Sequence, residues 1–175
     1  ARTNLLPLTY TRPIADLRIG IFTLFEKWDR ILKGEFSFLT EAYLSTKYPT
    51  KYAEENIYIN SCLLPSDEFI AIIDQLESET GLLYDGKVAV IKTSKKFKTA
   101  QEIKIGNIEL TSLENTITLK YPWDIFLQNG AELKRDFDLI KRRSLSENLE
   151  DPHTKAYNPR NIFIEKGAKI KDVSG

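Results

Sequence analysis

One short stretch limits this chain more than any other. Leu82-Leu83-Tyr84, then Asp85-Gly86, then Lys87-Val88-Ala89-Val90-Ile91 sets two apolar runs either side of a two-residue turn. Asp-Gly between such runs is a strong local signal for a β-hairpin. It commits the middle of the chain to antiparallel strands and excludes an all-helical fold. Around it, helical and strand patterns alternate. Ile21, Leu24, Phe25, Trp28, Ile31 and Leu32 recur at helical spacing. They predict a core-facing helix that begins between Asp16 and Gly20 and is capped by Gly34. NIYIN at 56–60 reads as a buried strand. Ser66 reads as an N-cap, with Asp67 and Glu68 in the first turn, Phe69, Ile70, Ile73 and Leu76 on one face, and Gly81 at the end.

The remaining segments are less regular. Residues 5–13, LLPLTYTRP, hold two prolines six apart and read as an extended loop. Leu39 to Tyr48 reads as a short irregular helix stopped by Pro49. Ile103, Ile105, Ile108 and Leu110 alternate in part, with a turn at Gly106-Asn107, and Ile117 and Leu119 suit another short strand. KTSKKFK at 92–98 reads as a solvated loop. Pro122 opens a further helix, with Trp123, Ile125, Phe126, Leu133, Phe137 and Ile140 as its apolar face and Asn129-Gly130 as a place where it can break. Trp28 and Trp123 are both expected in the core. Residues 144–160 are polar, carry Pro152 and Pro159, and read as a linker.

Composition narrows the function classes. Among 175 residues, 25 Lys+Arg balance 25 Asp+Glu, and 42% are hydrophobic. That composition excludes a disordered chain. A single cysteine, Cys62, excludes a disulfide scaffold, and with His153 as the only histidine a Cys/His zinc site has no ligand set. Zero net charge argues against a nucleic-acid binder, KTSKKFK notwithstanding. No apolar run is long enough to span a membrane and no signal peptide is visible, so a cytoplasmic location is the expectation. There is no Met, and the chain stops at Val173-Ser174-Gly175 just as an apolar rhythm begins. We expect a piece of a larger protein.

LLPLTYTRPIADLRIG resembles the signature loop of sugar nucleotidyltransferases. Pro7-Leu8-Thr9 matches that family's P-L-T, Arg12-Pro13 its R-P, and Ile19-Gly20 the end of its apolar stretch. Glu26-Lys27-Trp28, NIYIN followed by LLPSD, and YPWDIF at 121–126 resemble a divergent Bacteroidetes group of the bifunctional N-acetylglucosamine-1-phosphate uridyltransferase/glucosamine-1-phosphate acetyltransferase family. The resemblance spans most of the chain. It implies an α/β nucleotide-diphospho-sugar transferase fold: a Rossmann-like, doubly wound mixed sheet over 1–143, its first strand lying upstream. A linker at 144–160 and the first turn of a left-handed β-helix at 161–175 would follow. Ile164 and Ile170, six apart with Gly167-Ala168 between, fit a hexapeptide repeat, although by period alone an ordinary strand pair fits equally well.

The implied reaction joins a sugar 1-phosphate to a nucleoside triphosphate, releasing pyrophosphate, with Mg²⁺ as cofactor. The implied partners are those two substrates and further copies of the chain, a trimer in the whole protein, with neither nucleic acid nor membrane. The sequence also departs from the family pattern. Asn4 stands where the catalytic arginine falls, Arg2 on a glycine, Ile14 on the lysine, and Asn60-Ser61-Cys62 where a metal-binding aspartate is expected. The candidate set is therefore Arg12 and Arg18 as catalytic cations, Arg2, Thr3 and Thr9 for phosphate, Asn60 for sugar, and Asp124 for metal, with Asp67 as its substitute. Each has a plainer alternative. Arg12 can make a surface ion pair, Arg18 can cap the loop, Thr9 can cap a turn, Asn60 can close an Asx turn, and Asp124 can serve a helix dipole. A silent scaffold or a sugar-phosphate-binding domain stands beside the enzyme reading.

Overall fold

The computed structural model describes residues 2–103, 108–114 and 116–171. The predicted hairpin is its centre. Strands β4 (Thr80–Tyr84) and β5 (Lys87–Thr93) pair antiparallel, and Tyr84 faces Lys87. Asp85 and Gly86 both take positive φ, 52° and 67°, as a two-residue type I′ turn requires. Strand β3 (Asn56–Ile59) lies antiparallel on the outer side of β5, and β6 (Glu109–Ser112) runs parallel to β4. The sheet order is β3-β5-β4-β6, so the sheet is mixed and open. Gly81 does not end a helix. It lies in β4, where a Cβ would stand 2.6 Å from the Val90 carbonyl oxygen. Nor is β3 a buried central strand: it pairs with β5 alone among the described residues, and Ile57 is 44% exposed.

Helix α1 (Leu24–Ile31) starts later than its apolar spacing suggests. Two short strands, β1 (Arg18–Ile19) and β2 (Phe22–Thr23), form a tight hairpin before it. Gly20 takes φ 75° at the turn, which costs glycine nothing. Thr23 then caps α1, its hydroxyl accepting from Glu26 N at 3.1 Å, while Glu26 accepts from Thr23 N at 2.7 Å. This reciprocal box fixes the start. Leu32 rather than Gly34 is the C-cap.

Helix α2 (Asp67–Asp74) follows its N-cap Ser66 as predicted, and Gln75 ends it. The Leu39–Tyr48 region holds only a 3-10 turn at Ala42–Leu44. Helix α3 (Pro122–Arg143) runs unbroken through Asn129-Gly130. Thr118 bridges Leu63, with Leu64 N donating to Ile117 O and Leu119 N to Cys62 O, so the 117–119 segment pairs with the loop after β3.

Two apolar clusters hold these parts. Trp28 of α1, Phe69 and Ile73 of α2, and Leu82, Ala89 and Val90 of the hairpin form one. Leu5, Leu17, Ile19, Leu24, Cys62, Leu64 and Leu119 form the other, which anchors the N-terminal loop beside the end of β3. Helix α3 adds no apolar residue to either cluster's fully buried set. Trp123, Phe126 and Leu133 are exposed, and its fully buried side chains are Glu132 and Asp136. Residues 144–171 are largely exposed and irregular, apart from a 3-10 turn at Pro159–Asn161. Ile164 exchanges hydrogen bonds with Glu147 N and Ser146 Oγ. The Ile105 and Gly106-Asn107 positions and the last four residues lie outside the described residues.

Candidate functional site

The signature loop is built as a closed unit. Thr9 is fully buried; its hydroxyl donates to Arg2 O at 3.1 Å, and the Arg2 guanidinium donates back to Thr9 O at 3.1 Å. Arg2 also meets the Tyr43 hydroxyl, which itself donates to Tyr10 O at 2.7 Å. Thr9 thus closes the loop, its plainer alternative. Arg2 Nε is buried without a hydrogen-bond partner. Leu5 packs this loop against Cys62 and Leu64. Burial there pushes the Cys62 thiol up to about 11, so it is a packing group rather than a nucleophile.

Behind the loop the second hairpin is gripped by α3. Gly20 N donates to Asn129 Oδ1 at 2.8 Å, and Ile21 N and Phe22 N both donate to Asp136 Oδ2, at 2.9 and 3.2 Å. Asp136 Oδ1 receives the Lys27 ammonium at 2.5 Å, and Glu132 Oε2 faces the same ammonium at 2.9 Å. Glu132 Oε1 takes Arg135 at 2.9 Å. Lys27, Glu132 and Asp136 are each at most 2% exposed. A Cβ on Gly20 would lie 2.5 Å from Asp136 Oδ2, so only glycine fits where the turn meets the helix. Sequence reasoning missed this knot. Its signal was Lys27 three residues after Leu24 and four before Ile31, on the buried stripe, together with an acidic pair at i,i+4 in α3.

A cavity of about 1180 Å³ opens along β3 and beyond it. Arg2 and Asn60 both line it, with Phe36, Phe38, Tyr52 and Lys33 among its other walls. It brings together two of the predicted residues. Asn60 sits at the C-terminal end of β3, but its side chain is already used: Nδ2 donates to Val88 O at 3.2 Å, and Oδ1 accepts from Cys62 N at 3.1 Å, an Asx turn. Thr3 is exposed in the 3-10 turn Arg2–Leu5. Arg18 is exposed, bonded to Ile21 O and 3.7 Å from Glu26. Arg12 is exposed, with no partner among the described residues.

Magnesium needs converging oxygen ligands. Asp124 Oδ2 instead accepts from Lys120 N and Tyr121 N, at 2.7 and 2.8 Å, as a cap of α3. Asp67 lies exposed in the first turn of α2. Among the described residues no three His, Cys, Asp or Glu side chains form a metal-holding group. The described donor set does not fit a magnesium site built by the protein alone. Among the described residues no helix is long and apolar enough to cross a membrane.

An open mixed sheet, a proline-bearing loop latched beside a strand end, and a cavity shared by Arg2 and Asn60 define an α/β domain with a ligand-sized cleft. Residues 1–144 match the family model of the sugar nucleotidyl transferases, and the chain belongs to that family. No curated protein and no solved structure matches it.

Proposed function

We propose that this domain transfers a nucleotidyl group from a nucleoside triphosphate to a sugar 1-phosphate. A phosphate oxygen of the sugar phosphate attacks the α-phosphorus, the bond from that phosphorus to the bridging oxygen breaks, and pyrophosphate leaves. Catalysis of such a step is mainly positioning and neutralisation of phosphate charge. The observation that carries this reading is the cavity along β3 that Arg2 and Asn60 share; Asn60 stands at the C-terminal end of the strand, where open α/β sheets receive ligands. Its volume is ample for a nucleotide sugar. Arg2 lines the cavity and keeps a buried Nε without a hydrogen-bond partner, and Arg12, unpaired among the described residues of the same loop, is the second phosphate ligand. A guanidinium holds phosphate through two parallel hydrogen bonds. Arg18, Thr3 and Thr9 act in support, by holding the loop.

The rest of the family layout belongs to the same proposal: a doubly wound sheet completed by an upstream strand, and a β-helix acyltransferase beginning at 161–175. The Ile164 to Ile170 period supports it. A second reading, a domain that binds sugar phosphate without turnover, is favoured by the engaged side chains of Asn60 and Asp124.

Pyrophosphate release from UTP and N-acetylglucosamine 1-phosphate with Mg²⁺ tests the choice. We expect Arg12→Ala to lower turnover at least tenfold, about 1.4 kcal/mol in the barrier. No release with any triphosphate and sugar-phosphate pair, from folded protein that still binds the sugar phosphate by calorimetry, establishes the second reading.

A further inference from the structure

Helix α3 is inverted relative to an ordinary surface helix. Its fully buried side chains are acidic, and four of its apolar ones face outward, while Ile125 packs on the second cluster and Phe137, Leu139 and Ile140 are half-buried. Trp123 is 57% exposed, Phe126 82%, Leu127 75% and Leu133 42%. At 3.6 residues per turn these four, with Gly130 among them, form one stripe on the side of the helix away from Glu132 and Asp136. Tyr121, 40% exposed, extends it by stacking on Trp123 with ring centroids 4.6 Å apart. Nothing lies within 4 Å of a Cβ built on Gly130. Isolated apolar side chains on a surface are ordinary, but a contiguous stripe of this size marks a contact.

We infer that the α3 stripe is a homodimer interface, in which two copies of α3 cross antiparallel about a two-fold axis at Gly130. The occupant follows from the stripe's self-complementarity. Around residue 130, antiparallel pairing sets Leu127 against the partner's Leu133, and Trp123 against the partner's Phe137. It also sets Phe126 against the partner's Lys134, whose ammonium has no ion pair or hydrogen bond among the described residues. A cation over a ring is a favourable exposed contact. Gly130, at the crossing point, lets the two backbones approach, and a two-fold axis requires such matching of a surface with itself. The area is sufficient. With aromatic side chains of about 150–250 Å² each, the stripe offers roughly 500 Å² per copy. Two copies then remove about 1,000 Å² from water, the threshold for a specific interface. Nothing in this inference depends on the reaction proposed above.

The test is the molar mass of the purified chain, by sedimentation equilibrium at tens of micromolar, beside Leu127→Glu and Phe126→Glu. Both positions are at least three-quarters exposed, so neither change disturbs the fold, and circular dichroism checks that. The expected result is twice the mass of one chain for the parent and a single-chain mass for both variants. A Gly130→Cys variant in a Cys62→Ser background should oxidise to a covalent dimer, and a Ser78→Cys control should not. A monomeric parent means that another partner covers the stripe, and overturns the proposal. So does a trimer, or a dimer that survives both glutamates.

Discussion

Lys27 and Trp28 are consecutive residues of α1, each nearly inaccessible, yet they enter interiors of opposite kind. Trp28 packs its ring edge-on against Phe69, 5.4 Å between centroids, and donates from Nε1 to Leu63 O at 3.1 Å. Its neighbours are apolar, and their contribution is area removed from water. Lys27 meets two carboxylates of α3; Asp136 accepts in turn from the backbone of the β1–β2 turn, and Glu132 holds Arg135. An apolar cluster tolerates substitution by degrees. An ionic one is all or nothing, because removing one partner leaves the others charged and dry.

The largest effect should come from breaking the ionic side alone. Lys27→Ala leaves Glu132 and Asp136 facing each other and should cost about 3–5 kcal/mol, read as a drop in the urea midpoint or as failure to fold. Trp28→Ala should cost about 4 kcal/mol, from lost contacts and a residual cavity. A loss under about 1 kcal/mol in either would show that its cluster is not the support described.

The sharper test removes the ionic knot as a unit. Lys27→Met with Glu132→Gln and Asp136→Asn should lie within about 2 kcal/mol of the parent, since no buried charge is left unpaired and Arg135, which loses the Glu132 carboxylate, is half-exposed to water. A triple variant as unstable as Lys27→Ala would mean that the knot's net attraction, rather than the penalty of breaking it, holds α3 to the hairpin.

Smaller effects sit at the start of α1, upstream of both clusters. Thr23→Ala should cost about 1 kcal/mol through loss of the cap. Glu26 titrates below its ordinary 4.5, chiefly because it accepts the Thr23 N–H. A carboxyl lowered by folding stabilises fully above its ordinary value and loses that contribution as pH falls through the lowered one. The gap in stability between the parent and Glu26→Gln should therefore narrow as pH falls below 4.5. A gap that is equal at pH 3 and pH 7 would remove the carboxylate from the account.

Much of this was readable in advance where a residue acts through its own backbone. Asp85-Gly86, Ser66 and Pro122 occupy the turn, cap and first-turn positions their chemistry prefers. Gly81 was misread for the same reason in reverse. Glycine marks a tight place without saying whether the crowding comes from a helix end, a turn pressed on α3, or a neighbouring strand. Asp124 and Asn60 show how the candidate site resisted reading. Each has the chemistry of a ligand group, and each is engaged by nearby backbone.

The amino-acid sequence by itself determined the central hairpin, the starts of α2 and α3, the apolar set around Trp28 and the resemblance to the family that residues 1–144 match. All of these rest on interactions between near neighbours or on period. Only the tertiary structure decided that Lys27, Glu132 and Asp136 lie inside while Phe126 and Leu127 lie outside. Hydropathy assigns charge to water, and a buried ion pair is decided by a partner more than a hundred residues away, which no local period encodes.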